Sequence, residues 1–354
     1  MEATTALDRV RLATLPACVL SLLPAAGLGG PEEARSPVVL SEPVFERAPF
    51  PSAHASTIVE THHGLLAAWF GGSGEGAKDV GIWMSRRDGR GWSAPVEVAD
   101  GRQADGTRQP CWNPVLFQPS RGPLVLFYKV GPSPREWWGL ARTSTDDGRS
   151  WSDAVRLPSG ILGPIRAKPL ELPGGDVLAG SSTEDAGWVV HMERWTPPDP
   201  ASPAAWRRSG PLNDPKVFAA IQPTILPHEG RRLQILCRSR QGVVTEALSE
   251  DGGATWGAMA ATALPNPSAG IDALRLADGR FLLVSNPTTT DRRRLEVAVS
   301  ADGQTWRRAA LLEDAPGEYS YPAVVQSRDG RVHVTYTWRR ERIQHVVLDP
   351  AAIR

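Results

Sequence analysis

The sequence predicts an all-β fold, a six-bladed β-propeller, and three observations carry that prediction. A turn pattern recurs four times, as Ser85-Arg-Arg-Asp88-Gly-Arg-Gly-Trp92, Ser144-Thr-Asp146-Asp-Gly148-Arg-Ser-Trp151, Ser249-Glu-Asp251-Gly-Gly253-Ala-Thr-Trp256 and Ser300-Ala-Asp302-Gly303-Gln-Thr-Trp306. A second pattern, a polar residue, then usually Pro or Ala, then an apolar run, recurs six times in phase with the first, at steps of 49 to 59 residues. The third observation is punctuation: 34 Gly and 32 Pro divide short apolar runs that show almost no helical period.

Within the turn pattern each residue type has a physical task. Asp bonds backbone N–H groups of the turn, Gly supplies a positive φ, and Trp anchors the turn on the apolar layer below. The pattern is therefore structural, and its value lies in counting blades.

Taken in order, residues 1–36 lie outside the repeats as an N-terminal extension, and residues 37–354 make the propeller. Within the extension, Leu12 to Leu28 follows Arg9 and Arg11 and resembles a signal sequence, which implies a secreted or periplasmic protein; a cytoplasmic one, with a mis-started or disordered tail, is the alternative. Leu15-Pro-Ala-Cys18 faintly resembles a lipoprotein site, while Pro16 and Pro24 interrupt the stretch too often for a transmembrane helix. The segment Pro37 to Pro51 supplies a strand to the last blade and closes the ring, since an open propeller leaves unpaired edges. The six units then open at His54, Asn113, Lys168, Gln222, Asp272 and Tyr321. The turn pattern is present in the first, second, fourth and fifth of them.

Composition narrows the partners. Lys plus Arg and Asp plus Glu each number 39, so no global basic field recruits nucleic acid. Cys18, Cys111 and Cys237 stand far apart without metal-ligand spacing, so neither a zinc site nor more than one disulfide is expected, and nothing implies a cofactor.

Residues at one phase of a ring of repeats meet around its axis, so the six unit-opening residues are expected at one mouth of the central channel. All six are polar and mutually different, which fits a ligand site on a symmetric scaffold; a water-filled channel is the alternative. Trp137-Trp138 offers a surface for stacking on a sugar or for packing, and Glu184 and His191 follow the third inner strand toward the same mouth.

At this point the residues resemble a family. Asp boxes in a six-unit repeat, Arg238 in Cys-Arg-Ser-Arg-Gln-Gly, Asn286-Pro ahead of Arg292 to Arg294, and Tyr321 ahead of Asp329-Gly330 together resemble the sialidase (neuraminidase) superfamily over roughly Val38 to Asp349. The resemblance implies a glycoside hydrolase that takes a terminal acidic sugar of an acidic oligosaccharide or glycoconjugate, held by three arginines, with a tyrosine nucleophile assisted by a glutamate and an acidic proton donor. An anomeric carbon that bears a carboxylate repels a carboxylate nucleophile, so a phenol is the better attacker, and guanidinium binds the sugar carboxylate bidentately. On that basis Tyr321 takes the nucleophile slot, Arg238 the second arginine, Arg292 the third, and Glu75 the donor, with Asp79 in reserve.

Two slots depart from the pattern. Ala53-His54-Ala55 stands where the family has its first arginine, and Gln222-Pro223 where it has the assisting glutamate. Gln accepts no proton as a base does. Arg47, Arg166 or Lys168 are candidates for the missing positive charge, and Glu246, Glu318 or Asp272 for the missing base. His54, Asn113, Lys168, Gln222 and Asp272 complete the expected substrate contacts. The departures also keep two other readings open, a carbohydrate-binding propeller without catalysis and a lyase in which Tyr321 and His54 eliminate next to a uronate.

Overall fold

In the computed structural model, residues 36–353 are described, so the signal-like segment and Cys18 lie outside the described residues. Apart from two 3-10 turns at Pro203–Ala205 and Pro350–Ala352, the regular elements among them are strands. None of the described helices is long and apolar enough to cross a membrane.

The strands form six antiparallel sheets, each built as a meander from the channel outward. The second blade is typical, with Cys111–Phe117 innermost, then Leu124–Val130, Trp138–Ser144 and the short Val155–Arg156. Every residue of its two inner strands is buried. Blades pack face to face, so both faces of an inner strand are covered, and the runs are near-continuously apolar rather than alternating. The core accordingly lies between blades. Leu66, Phe70, Leu126 and Val130 join the first and second, Phe117, Phe127, Val177 and Trp195 the second and third, and Leu282, Val297, Val324 and Val334 the fifth and sixth. Each such side chain contributes about 1.5–3 kcal/mol by leaving water.

Ring closure follows the sequence expectation. Val38–Pro43 pairs antiparallel with Arg342–Leu348, with Glu42 opposite His345, and becomes the outermost strand of the sixth blade. Buried hydrogen bonds also stitch neighbouring blades: Ala55 N donates to Thr337 Oγ1 at 3.1 Å, Leu116 N to Thr57 Oγ1 at 3.2 Å, and Ala273 N to Thr224 Oγ1 at 3.2 Å.

Three of the four Trp-terminated turns close as clasps. In the fourth blade Ser249 Oγ donates to Asp251, Gly253 N donates back to Ser249 Oγ at 2.9 Å, and Asp251 accepts from Thr255 N at 2.9 Å. The turns at Ser144 and Ser300 repeat this arrangement. The turn at Ser85 does not: its hydroxyl is buried without a partner, and Gly91–Trp92 forms a small extra strand instead. Cys111 and Cys237 are both buried and free.

Candidate active site

Four innermost strands break register near the channel, between His54 and Thr57, Trp112 and Val115, Ile221 and Thr224, and Ser320 and Ala323. In each bulge one residue has a positive φ: Ala55 at 55°, Asn113 at 38°, Gln222 at 58° and Tyr321 at 54°. A non-glycine residue held there is strained, and the bulge turns its side chain out of the sheet toward the channel.

This geometry corrects the alignment of two units. Ala55 occupies the tip position of the first blade, and His54 stands one residue before it. In the fifth blade Asp272 accepts from Val324 N at 2.9 Å, the task that Thr57 and Thr224 perform two residues after their tips, so Gly270 is the tip. A Cβ on Gly270 would stand 3.1 Å from Arg166 Nε and 3.3 Å from Tyr321 Cδ1, so its absence makes room for both. Lys168 reaches Asp272 at 3.0 Å and Ala273 O at 2.8 Å, which engages both charges with each other. The buried Arg166, its guanidinium carbon 5.6 Å from the centre of the Tyr321 ring, donates to Pro322 O and Ile271 O.

Next to Tyr321 lies a cavity of about 330 Å³. Tyr321, Asn113 and Gln222 line it, together with three arginines, Arg238, Arg292 and Arg340. The guanidinium carbons of Arg238 and Arg292 stand 5.3 and 5.5 Å from the centre of the Tyr321 ring. Both donate to the carbonyl of Ser268, at 2.8 and 3.2 Å. Glu318 fixes the other pair, accepting from Arg292 at 3.0 Å and from Arg340 at 2.8 Å. Burial works to raise the Glu318 carboxyl, but bonds from Arg340 and Ser320 outweigh it and hold it below the usual range. Burial likewise opposes the charge of Arg340, while Glu318 and Glu75 more than restore it. Two carboxylates also line the cavity. Glu75 pairs with Arg340, and burial raises the carboxyl of Glu184 despite the nearby Arg238 and a bond from Trp188.

The sequence profile of the BNR repeat-like domain matches residues 63–334. The chain belongs to the BNR repeat-like family. Solved structures agree on the fold of this BNR repeat-like chain. A protein of unknown function from Dyadobacter fermentans superposes with a TM-score of 0.72 at 18% identity over 90% of this chain and 99% of its own. The Hadza microbial sialidase Hz136 gives 0.71 at 16%, over 86% and 66%, and the NanB sialidase of Streptococcus pneumoniae 0.68 at 12%, over 90% and 71%. No curated protein sequence matches the chain.

Of the residues expected at the mouth of this BNR repeat-like propeller, Tyr321, Arg238, Arg292, Glu75, Asn113, Gln222, Glu184 and Trp137 line one cavity. The others stand elsewhere. Asp79 accepts from Ser73 N and Oγ at 2.9 and 2.8 Å, bracing the loop that carries Glu75. Glu246 lies opposite Leu236, two residues along the strand from Val244, the partner of Arg238; its carboxylate accepts from Gln234, which also bonds Gly303 of the next blade. Glu246 therefore cannot assist Tyr321. His54 is buried behind Tyr321, with ring centres 4.2 Å apart and no partner on either nitrogen. Burial, then the surrounding arginines, push its pKa well below the usual value, so it is neutral. His191 is engaged by Glu193 at 2.9 Å inside the third blade, and Arg47 is exposed.

Arg340 is the residue that sequence reasoning missed. Arg339 and Arg340 both have positive φ in the hairpin before Arg342–Leu348, and Arg340 O accepts from Ala53 N at 2.8 Å. The arginine thus comes from the sixth blade to the edge of the first, beside the segment where the resemblance places the family's first arginine.

Proposed function

We propose that the chain is a sialidase-like exo-glycoside hydrolase that releases a terminal acidic sugar, a sialic acid or another ulosonic or uronic acid, from a glycan. The observation that carries this reading is the convergence of Arg238, Arg292 and Arg340 on the cavity beside Tyr321. Guanidinium groups already oriented by Ser268 and Glu318 bind a carboxylate with little ordering to be done on association.

In this reading the phenol oxygen of Tyr321 attacks the anomeric carbon, and the glycosidic bond breaks as its oxygen takes a proton. Glu184 supplies that proton, because a carboxyl raised by burial holds it to higher pH. Glu75, the other carboxylate at the cavity, takes the proton of the phenol. Water then cleaves the sugar–tyrosine bond and restores both groups. These assignments move the donor role from Glu75 to Glu184.

A second reading, a carbohydrate-binding propeller, is favoured by Gln222 at the base position and by the Tyr321 hydroxyl, which makes no hydrogen bond among the described residues. The elimination reading loses its acid, since His54 is neutral and does not line the cavity. Incubation of the protein with a panel of terminal acidic glycosides, with products identified by mass, separates the three. Products whose masses sum to the substrate plus one water support hydrolysis, an unsaturated product supports elimination, and binding without turnover supports the second reading.

A further inference from the structure

A second cavity, of about 500 Å³, lies beside the mouth between the second and third blades. Trp137, Pro134 and Glu184 line both cavities, so one partition separates them. Three arginines, Arg135, Arg156 and Arg208, also line the second one. Arg156 lies over the Trp138 ring at 4.7 Å, and Arg208 donates to Gly160 O at 2.8 Å. Among the described residues, none of the three is in an ion pair. Glu184 and Asp185 also line it, so three guanidinium groups face two carboxylates and the lining keeps a small excess of positive charge in a chain of zero net charge.

The loop at Pro158 to Leu162 on the lining is braced from the third blade. The wholly buried Glu193 accepts from Leu162 N at 3.1 Å and Gly163 N at 2.6 Å, which fixes the loop that carries the Gly160 carbonyl. An aromatic ring, a braced loop and three guanidinium groups, none of them held in an ion pair among the described residues, fit a sugar that carries an acid group.

We propose that this cavity is a second subsite, which takes an acidic sugar next to the terminal one, so that the preferred ligand is a glycan with acid groups on both of its outermost residues. The inference rests on the reading of the mouth as an acidic-sugar site. The partition then also sets the position of the scissile bond, because Glu184 stands between the two sugars.

The test compares pairs of oligosaccharides that share a terminal acidic sugar and differ in the next residue: disialic acid against sialyllactose, and a diglucuronide against glucuronosyl-galactose. Affinities are measured by calorimetry on the wild type, on Arg238→Ala and on an Arg156→Ala/Arg208→Ala variant. Both of the latter arginines are exposed, so the fold tolerates their loss. The proposal expects at least one doubly acidic probe to bind about tenfold more tightly than its partner, with that preference lost in Arg156→Ala/Arg208→Ala and the neutral-partner affinity unchanged. Equal affinities within every pair, or a preference that survives the double variant, overturn the subsite while leaving the mouth intact. If no probe binds the wild type, or if Arg238→Ala changes nothing, the mouth reading fails and the subsite fails with it.

Discussion

Arg340 and Glu75 are 265 residues apart in the chain and meet across the mouth, Nη1 to Oε2 at 2.5 Å. The same guanidinium donates to Glu318, so one side chain from the sixth blade ties a loop of the first to the anchor that positions Arg292. Arg340→Ala therefore removes one sugar-binding cation and loosens another. Binding of a terminal acidic sugar is expected to weaken by about 10- to 100-fold, a loss typical of charge-assisted bonds, and Arg340→Lys is expected to recover only part of it because an ammonium cannot serve both carboxylates in the same geometry. Calorimetric titration checks this, with the exposed Arg47→Ala as the control.

Glu184 gives a prediction in pH. Burial raises its carboxyl, so as the proton donor it is competent at low pH and loses activity as pH rises through that raised value. Glu184→Gln is expected to lower kcat by on the order of 10²–10⁴-fold on glycosides with poor leaving groups. Nitrophenyl glycosides, whose leaving oxygen needs no proton, should be spared and should lose the basic limb of the pH profile. An unchanged basic limb in the variant would assign that limb to another group.

The ring closure has its own pH dependence. Trp92, His345, His333 and Ser327 form a hydrogen-bonded chain with links of 3.3, 3.0 and 3.0 Å, and Glu42, bound by Arg87, stands beside His345. Burial lowers both imidazoles from 6.5 to about 4. Asp329 also faces His333, and its pull is too weak to reverse this. The unfolded chain binds protons near pH 6.5 and the folded chain near pH 4, so stability is full above pH 6.5 and falls as pH drops toward 4, by on the order of a few kcal/mol. Denaturant melts from pH 4 to 8 measure it. A flat profile between pH 6.5 and 4 would contradict the neutral pair.

The clasps differ in strength. Asp251 accepts from Ala254 N, Thr255 N, Ser249 and Thr255 hydroxyls, and these bonds hold its carboxyl below the usual range, whereas Asp88 accepts from Arg90 N alone. Asp251→Ala is expected to lower Tm more than Asp88→Ala, and thermal melts of the two variants compare them.

The count of blades was legible because Gly, Pro and the Ser-Asp-Gly-Trp turns recur with the sheet, and the closing strand was legible because Val-Val-Leu stands alone ahead of the first unit. The tips were less so. Backbone geometry and inter-blade hydrogen bonds set the tips, so Ala55, in a bulge, and Gly270, two residues before the Asp272 that accepts from Val324 N, hold tip positions that no side-chain pattern marks, while His54 and Asp272 imitate one. Arg340, within Trp338-Arg-Arg-Glu-Arg342, reads as a solvated hairpin turn until closure of the ring carries it to the mouth. Glu246 failed for the opposite reason: proximity in sequence to Arg238 placed it on the right strand but two residues from Val244, the register partner of Arg238.

The most direct test of the account is Tyr321→Phe, assayed for turnover and for affinity on the same acidic glycoside. The hydroxyl acts in the transition state, whereas the carboxylate is held by Arg238, Arg292 and Arg340. The account predicts loss of turnover by on the order of 10³-fold or more, with Kd within about tenfold of wild type. Full activity in Tyr321→Phe would contradict it.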